Sequence, residues 1–431
     1  DNFKISHYQL PKNFIQALAY IKLSAAEVNS SLKVLDSNMA RAIAAAAKEV
    51  IAGEHDDQFP IDVFQTGSGT STNMNMNEVL ARLACQSSDL DILANDHVNM
   101  SQSSNDTIPT AIQVSAVIGV TSHVLPQIKH LKEVISKRAK SLKGIVKTGR
   151  THLMDAMPIR FDQELEAWWY QLEAAELQIS LARDLLLHLP QGGTAIGTGV
   201  NAHYKFAAKF ASKISKHTKQ DFVAAAAQTA GIAGQDGALA LSSALNSLAV
   251  VIMKIANDLR WMNSGPLAGL GEISLKALQP GSSIMPGKVN PVIPEAATMV
   301  AAQLIGNHTT ITVAAQSGNF QLNVMLPLIA FNLLESVQIS GAICQALADQ
   351  AIADFEVLED NIQTNLWKNP ILVTALNPLI GYQKAAEIAK IAYKEKRSVL
   401  DVADEKTDIS RKELQKLLDP YKLTEGGIAK S

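Results

Sequence analysis

Apolar residues recur at helical spacing through most of the chain, and strand-like alternation is scarce. Leu165, Trp168, Trp169 and Leu172 stand at i, i+3, i+4 and i+7, and the alanine-rich run 40–50 follows the same period. Near the end, Ala385, Ile388, Ala389 and Ala392 repeat it, and Thr407-Asp-Ile-Ser410 followed by Glu413 offers a capping box ahead of Leu414, Leu417 and Leu418. Residues 296–334 differ: 39 consecutive positions carry no Asp, Glu, Lys or Arg. Lipid would explain a lack of charge, yet Gln303, Asn307, His308, Thr309, Thr310, Gln316, Asn319, Gln321 and Asn323 interrupt the stretch too often for a membrane span. The pattern predicts a long helix, broken near Gly318 or Pro327 and surrounded by other protein in a bundle or an oligomer. The predicted fold is mostly α, with an N-terminal helical domain over 1–106, a central bundle of long helices over 107–370 and a small C-terminal helical domain over 371–431.

Composition sharpens this picture. Only 18% of the 431 residues are charged, against about 25% in an average soluble chain. The charges are also uneven, since the 48 residues from Lys384 onward hold 20 of the 79, which marks off the C-terminal domain. A net charge of −3 offers no basic field for a nucleic-acid backbone or an anionic membrane, so neither is an expected partner. Gly (24) and Pro (15) are too few for a disordered chain or a turn-rich β sandwich. Cys85 and Cys344 are too few and too far apart for a disulfide framework or a metal knuckle, which fits a reducing, cytoplasmic location. The opening Asp1-Asn-Phe-Lys has neither a start Met nor a signal pattern, so the numbering is expected to begin inside a longer chain; a missing transit segment would allow the mitochondrial matrix instead.

Four segments are nearly free of charge yet dense in Ser, Thr, Asn and Gly: 65–77, 98–105, 191–201 and 279–287. One such segment reads as a cap or a turn. Four together read as a site for a small anion, because hydroxyls, amides and glycine-exposed N–H groups bind a carboxylate while leaving the site almost neutral. Gly67-Ser-Gly69 lacks the Gly-Lys-Ser/Thr of a phosphate loop and follows no predicted strand. No His-Glu-x-x-His or Cys cluster occurs, and His152 and His203 lack ligand spacing, so neither a metal nor a cofactor is expected. The most specific run is Gly281-Ser-Ser-Ile-Met-Pro-Gly-Lys-Val-Asn-Pro291, with Glu295 close behind. Its glycines let a loop turn N–H groups inward, and Lys288, the only charge in 277–292, suits an anionic substrate or a neighbouring hydroxyl that must ionise. Pro294-Glu295 reads as a first helical turn. The bland alternative is a flexible surface loop with a solvated lysine.

GSSIMPGKVNP resembles the signature of the fumarase/aspartase superfamily, whose members make or break a C–N or C–O bond β to a carboxylate. GSGTSTNMNMNEV, SQSSNDTIPTA, GRTHLMDAMP and GGTAIGTGVN resemble, in order, the corresponding blocks of class II fumarases, and the resemblance runs from Asn2 to the C-terminal helices. It implies a lyase acting on a small dicarboxylate, fumarate or malate, with no cofactor. Removing water from malate requires loss of a carbon proton beside a carboxylate, and the dianionic aci-carboxylate must be held until hydroxide leaves. By resemblance, Ser282 takes the carbon proton, with loop N–H groups and Lys288 stabilising its alkoxide. His152, paired with Glu295, acts from the other face through a water that protonates the departing hydroxyl; an imidazole held by a carboxylate suits acid–base work near neutral pH. The substrate carboxylates fall to Ser68, Gly69, Thr70 and Asn73, to Ser103, Ser104 and Asn105, and to Thr151, Ser283, Lys288 and Asn290. Superfamily members are homotetramers whose subunits share out these blocks, which the uncharged stretch 296–334 fits.

Two departures stand out. Fumarases usually carry His-Pro-Asn-Asp before the second block as a secondary carboxylate site; here the run is Leu93-Ala-Asn-Asp96, so only Asn95 and Asp96 remain of it. Pro291-Val-Ile-Pro-Glu295 is closer to the Val-Val-Pro-Glu of aspartases, which leaves aspartate ammonia-lyase as the alternative activity. His152 and Gly287 favour fumarase, because aspartases typically have Gln and Ala there. A non-catalytic relative of the lens-crystallin kind would not need Ser282, His152, Lys288 and Glu295 intact. A helical solenoid is less expected still, since no period of 30 to 50 residues repeats along the chain.

Overall fold

The computed structural model describes residues 3–427. Helices make up most of it, as the hydrophobic period predicts, and the chain divides into two compact units. The first takes the chain up to Ile128, Ala174–Val250 and Met299–Ile343; the second takes Lys129–Glu173, Val251–Thr298 and the chain from Cys344 on. Every boundary between them falls inside a helix.

In the first unit, α1 (Lys12–Ser31) packs on α2 (Ser37–Ala52). Asp36 starts α2 by accepting the amides of Asn38 and Met39, and Gly53 ends it in the left-handed conformation at φ 85°. The next helices, α3 (Thr70–Gln86) and α4 (Ser104–Gly119), begin inside the donor-rich segments. Ser103 and Asp106 form a capping box at the start of α4, which runs through a π-helical turn, Val120–Val124, into α5 (Leu125–Ser141). Then come α6 (Phe161–Leu185), α7 (Phe206–Thr218), α8 (Gln228–Ala233) and α9 (Asp236–Met262). Leu165, Trp168 and Leu172 are fully buried on α6, as their spacing predicts.

The uncharged stretch falls within α10 (Val292–Ala315) and α11 (Leu326–Leu347), broken between Ala315 and Leu326 around Gly318, with Pro327 in the first turn of α11. The expectation that this helix is covered on all sides is met on one face only within the chain. Ala297, Ala301, Leu304, Asn307, Ile311 and Ala314 are buried, while Met299, Ala302, Gln303, Ile305, Gly306, Thr309, Thr312 and Val313 are exposed without a charge among them. Three helical runs, Ser104–Ser141, Asp236–Met262 and Leu326–Ile352, are long and apolar enough to span a membrane by length and composition, and half or more of each apolar window is buried within the chain.

Among the described residues, strands form four two-stranded pieces: antiparallel β1 (Val146–Thr151) with β2 (Met154–Arg160), parallel β3 (His188–Leu189) with β4 (Val223–Ala224), and antiparallel β5 (Ile273–Ser274) with β8 (Glu356–Val357) and β6 (Gly318–Asn319) with β7 (Leu322–Asn323). The short helices α12 (Glu359–Lys368), α13 (Asn377–Ile380), α14 (Tyr382–Glu395), α15 (Val399–Lys406), α16 (Arg411–Leu417) and α17 (Pro420–Leu423) close the chain. From Leu372 to Leu418 they share one core, in which Leu376, Ile388, Val402 and Leu414 are fully buried, each contributing about 1.5–3 kcal/mol by burial. Ser410 caps α16 by accepting the Glu413 amide, the expected S-x-x-E cap.

Candidate active site

The first unit brings three donor-rich segments together. The loop before α3 turns at residues 66–69, where the Gly69 amide donates to the Thr66 carbonyl at 2.7 Å. A Cβ on Gly67 would lie 1.7 Å from the Val324 carbonyl oxygen, and one on Gly69, at φ 71°, would lie 2.9 Å from Ile108, so both positions require glycine. Ser68 is buried with its hydroxyl 2.7 Å from that of Thr70. Asn73, fully buried on α3, donates to Ser104 Oγ at 3.0 Å and to Asn99 Oδ1 at 3.3 Å. Ser103 Oγ accepts the Asn105 amide, and the Asn105 side chain donates to the Ala195 carbonyl at 2.8 Å. Asp106 ties the third segment down by accepting the amides of Ser103, Gly192 and Thr194, each at 2.9 Å. Asn95 and Asp96 lie exposed in a π-helical turn, Ala94–Val98, where the Leu93 amide donates to His97 Nδ1.

Two charged groups without solvent exposure sit beneath these segments. Burial pushes the Asp106 carboxyl up to about 6, against the lowering by its three N–H donors and by Lys22. Burial pushes the Lys22 ammonium down to about 7, against the raising by Asp106. Lys22 donates to Asn99 Oδ1 at 3.0 Å and to Gln102 Oε1 at 3.1 Å. Between about 7 and its ordinary 10.5 the folded chain holds fewer protons on Lys22 than the unfolded chain does, so stability rises with pH across that window. The urea midpoint of the parent chain should therefore climb from pH 7 to pH 9 relative to that of Lys22→Met; parallel midpoints would contradict the burial cost.

The second unit holds the other candidates. Thr151 and Met154 pair at the end of the β1–β2 hairpin, so His152 and Leu153 form a two-residue turn, both left-handed at φ 55° and 61° and both exposed. The hairpin is anchored by Lys147, buried on β1, whose ammonium lies 2.5 Å from Glu164 and 2.9 Å from Glu272; Arg150 takes the other Glu272 oxygen at 2.7 Å. In the loop 279–291, Ser282 Oγ accepts the amides of Ile284 (3.2 Å) and Met285 (3.1 Å). The loop closes where the Gly281 amide donates to the Lys288 carbonyl at 3.0 Å and the Asn290 side chain to the Gly281 carbonyl at 2.6 Å. A Cβ at Gly281 would lie 2.1 Å from that Lys288 oxygen. Glu295 occupies the first turn of α10, as expected. Lys288, Asn290 and Glu295 line a cavity of ≈ 400 Å³ with Arg260, Trp261 and Asn263. Ser283 is exposed on the same loop.

In the first unit Asn73 meets Ser104, and in the second Lys288, Asn290 and Glu295 line one cavity while Ser282 lines a separate one with Lys288. Among the described residues no hydrogen bond or ion pair joins His152 to Glu295. Sequence reasoning missed Lys22 and Asp106. Lys22 was visible as a lone charge on the apolar stripe that holds Leu18, Ala25 and Ala26, and Asp106 as the fourth residue of a Ser-x-x-Asp cap.

Residues 2–306 match a family described as lyase, and residues 372–425 one described as fumarase C C-terminus. Fold and sequence thus define a lyase. A fumarate hydratase class II of Xylella fastidiosa is 57% identical over 99% of this chain and 90% of its own length, and a fumarate hydratase class II 2 of Pseudomonas aeruginosa is 54% identical over 99% and 93%. The crystal structure of a class II fumarase from Schistosoma mansoni superposes with a TM-score of 0.95 at 36% identity, covering 98% of this chain and 93% of that one. The chain belongs to the class II fumarate hydratases, a family of hydro-lyases.

Proposed function

We propose that this chain adds water reversibly to fumarate, giving (S)-malate, and that Ser282 exchanges the carbon proton. The observation that carries this reading is the pair of backbone amides directed at Ser282 Oγ, which stabilise an alkoxide in the way an oxyanion hole stabilises developing charge. In the dehydration direction Ser282 takes the proton from the carbon beside a carboxylate of malate. The freed pair delocalises into that carboxylate, whose charge the neutral donors and Lys288 hold. The C–O bond then breaks, and a water polarised by His152 and Glu295 supplies the proton with which hydroxide leaves as water. Ser68, Gly69, Thr70, Asn73, Ser103, Ser104, Asn105, Thr151, Ser283 and Asn290 bind the two carboxylates.

A homotetramer with sites shared among subunits belongs to the same reading, as do the three-domain division and a cytoplasmic location. The bare uncharged face of α10 supports the tetramer, since further copies of the chain would cover it without burying a charge. The test is to follow the fumarate alkene absorbance while supplying malate, then aspartate. Absorbance from malate alone supports hydration. Absorbance from aspartate alone would make the chain an ammonia-lyase, and no turnover of either would make it a structural relative.

A further inference from the structure

A buried lysine beneath the carboxylate-binding segments sets the direction of the hydrogen bonds above it. Lys22 on α1 is wholly buried, and its nitrogen meets two side-chain oxygens, Asn99 Oδ1 at 3.0 Å and Gln102 Oε1 at 3.1 Å. An ammonium donates and never accepts, and even the free amine has two hydrogens for these two oxygens. Both amides are therefore held with oxygen toward the lysine. Their nitrogens are committed elsewhere: Gln102 Nε2 donates to the carbonyls of Val98 and Met100, and Asn99 Nδ2 to the carbonyl of Gln102.

The same Asn99 oxygen receives Asn73 Nδ2 at 3.3 Å, and that nitrogen also donates to Ser104 Oγ at 3.0 Å. Asn73 is fully buried and its own Oδ1 has no partner. Turned over, Asn73 would set oxygen against the oxygen of Asn99 and would draw the Ser104 hydrogen onto itself. In the observed direction Ser104 Oγ accepts from Asn73 and its hydrogen stays available.

We propose that Lys22 is a positioning residue: it fixes the direction of the chain Lys22–Asn99–Asn73–Ser104, so that Ser104 keeps its hydroxyl hydrogen for a substrate carboxylate. The inference rests on the reading that Ser104 binds that carboxylate. It assigns the lysine a role a buried charge in a purely structural place would lack, since its effect on catalysis must pass through one hydroxyl.

A double-mutant cycle tests this with Lys22→Met, Ser104→Ala and the double variant, assayed with fumarate. A charge-assisted hydrogen bond to the carboxylate is at stake, so Ser104→Ala should lower kcat/KM about tenfold or more, chiefly through KM. Lys22→Met should cost a similar factor in the parent chain and less than about twofold once Ser104 is Ala. Equal losses in both backgrounds would overturn the proposal, because a structural lysine acts with or without the hydroxyl. An unchanged kcat/KM in Ser104→Ala would instead remove the reading of Ser104 on which it stands. Should Lys22→Met not fold, Asn99→Leu cuts the same chain one step on and carries the same cycle with the same outcomes.

Discussion

Ser282→Ala should lower kcat for fumarate hydration by about 10²–10⁴-fold, the usual worth of a positioned acid or base. The loss is specific to chemistry because Ser282 lies in a largely exposed loop, where its oxygen does nothing for the core. That oxygen accepts two amides, from Ile284 and Met285, and an oxygen placed where N–H groups converge is stabilised as an anion far more than as a hydroxyl. Lys288 adds a cation to the same loop, which Gly281 and Asn290 close. The thermal transition of the variant should coincide with that of the parent, so that lost turnover cannot be lost fold. A kcat near that of the parent, from the rate of alkene absorbance, would take Ser282 out of the base role.

His152→Asn should lower kcat by about 10²-fold or more with a smaller change in KM, as the proposed action of the imidazole on the departing hydroxyl through water requires. Asparagine is the appropriate replacement because of the backbone. His152 and Leu153 both hold positive φ, at 55° and 61°, a region in which Asn, Asp and His are enriched and where the bulkier Leu costs about 1–3 kcal/mol. A two-residue hairpin turn of this hand ordinarily uses Asn-Gly. Leu153 there is locally unfavourable, and the anchoring of β1 through Lys147, Arg150 and Glu272 holds the turn in place. His152→Asn should therefore melt no lower than the parent while losing activity. Unchanged kcat would make the histidine a turn residue and nothing more.

Much of the fold was legible because helical period and capping are local signals. Ser410 with Glu413, Leu165 with Trp168 and Leu172, and the break around Gly318 all rest on residues within one or two turns of each other. What one chain leaves bare was not legible: low charge predicts burial of α10, and only the structure separates the face the chain covers from the face it does not. The candidate site stood out as words, GSSIMPG above all, because these runs are nearly free of charge yet dense in Gly, Ser, Thr and Asn. Lys22 and Asp106 escaped notice because their importance lies in long-range partners, 77 residues apart for Lys22 and Asn99 and 88 for Asp106 and Thr194. The turn at His152 escaped because Leu153, at φ 61°, is a residue type that ordinarily avoids positive φ.

The proposed division of labour between Ser282 and His152 is tested most directly by proton NMR of malate incubated with each variant in deuterium oxide. The signal reports exchange of the hydrogen on the carbon beside the carboxylate, to be set against net formation of fumarate. If Ser282 carries the carbon proton, Ser282→Ala loses exchange and dehydration together, while His152→Asn still exchanges the hydrogen faster than it releases water. Exchange that survives in Ser282→Ala, or that disappears in step with dehydration only in His152→Asn, would contradict the account.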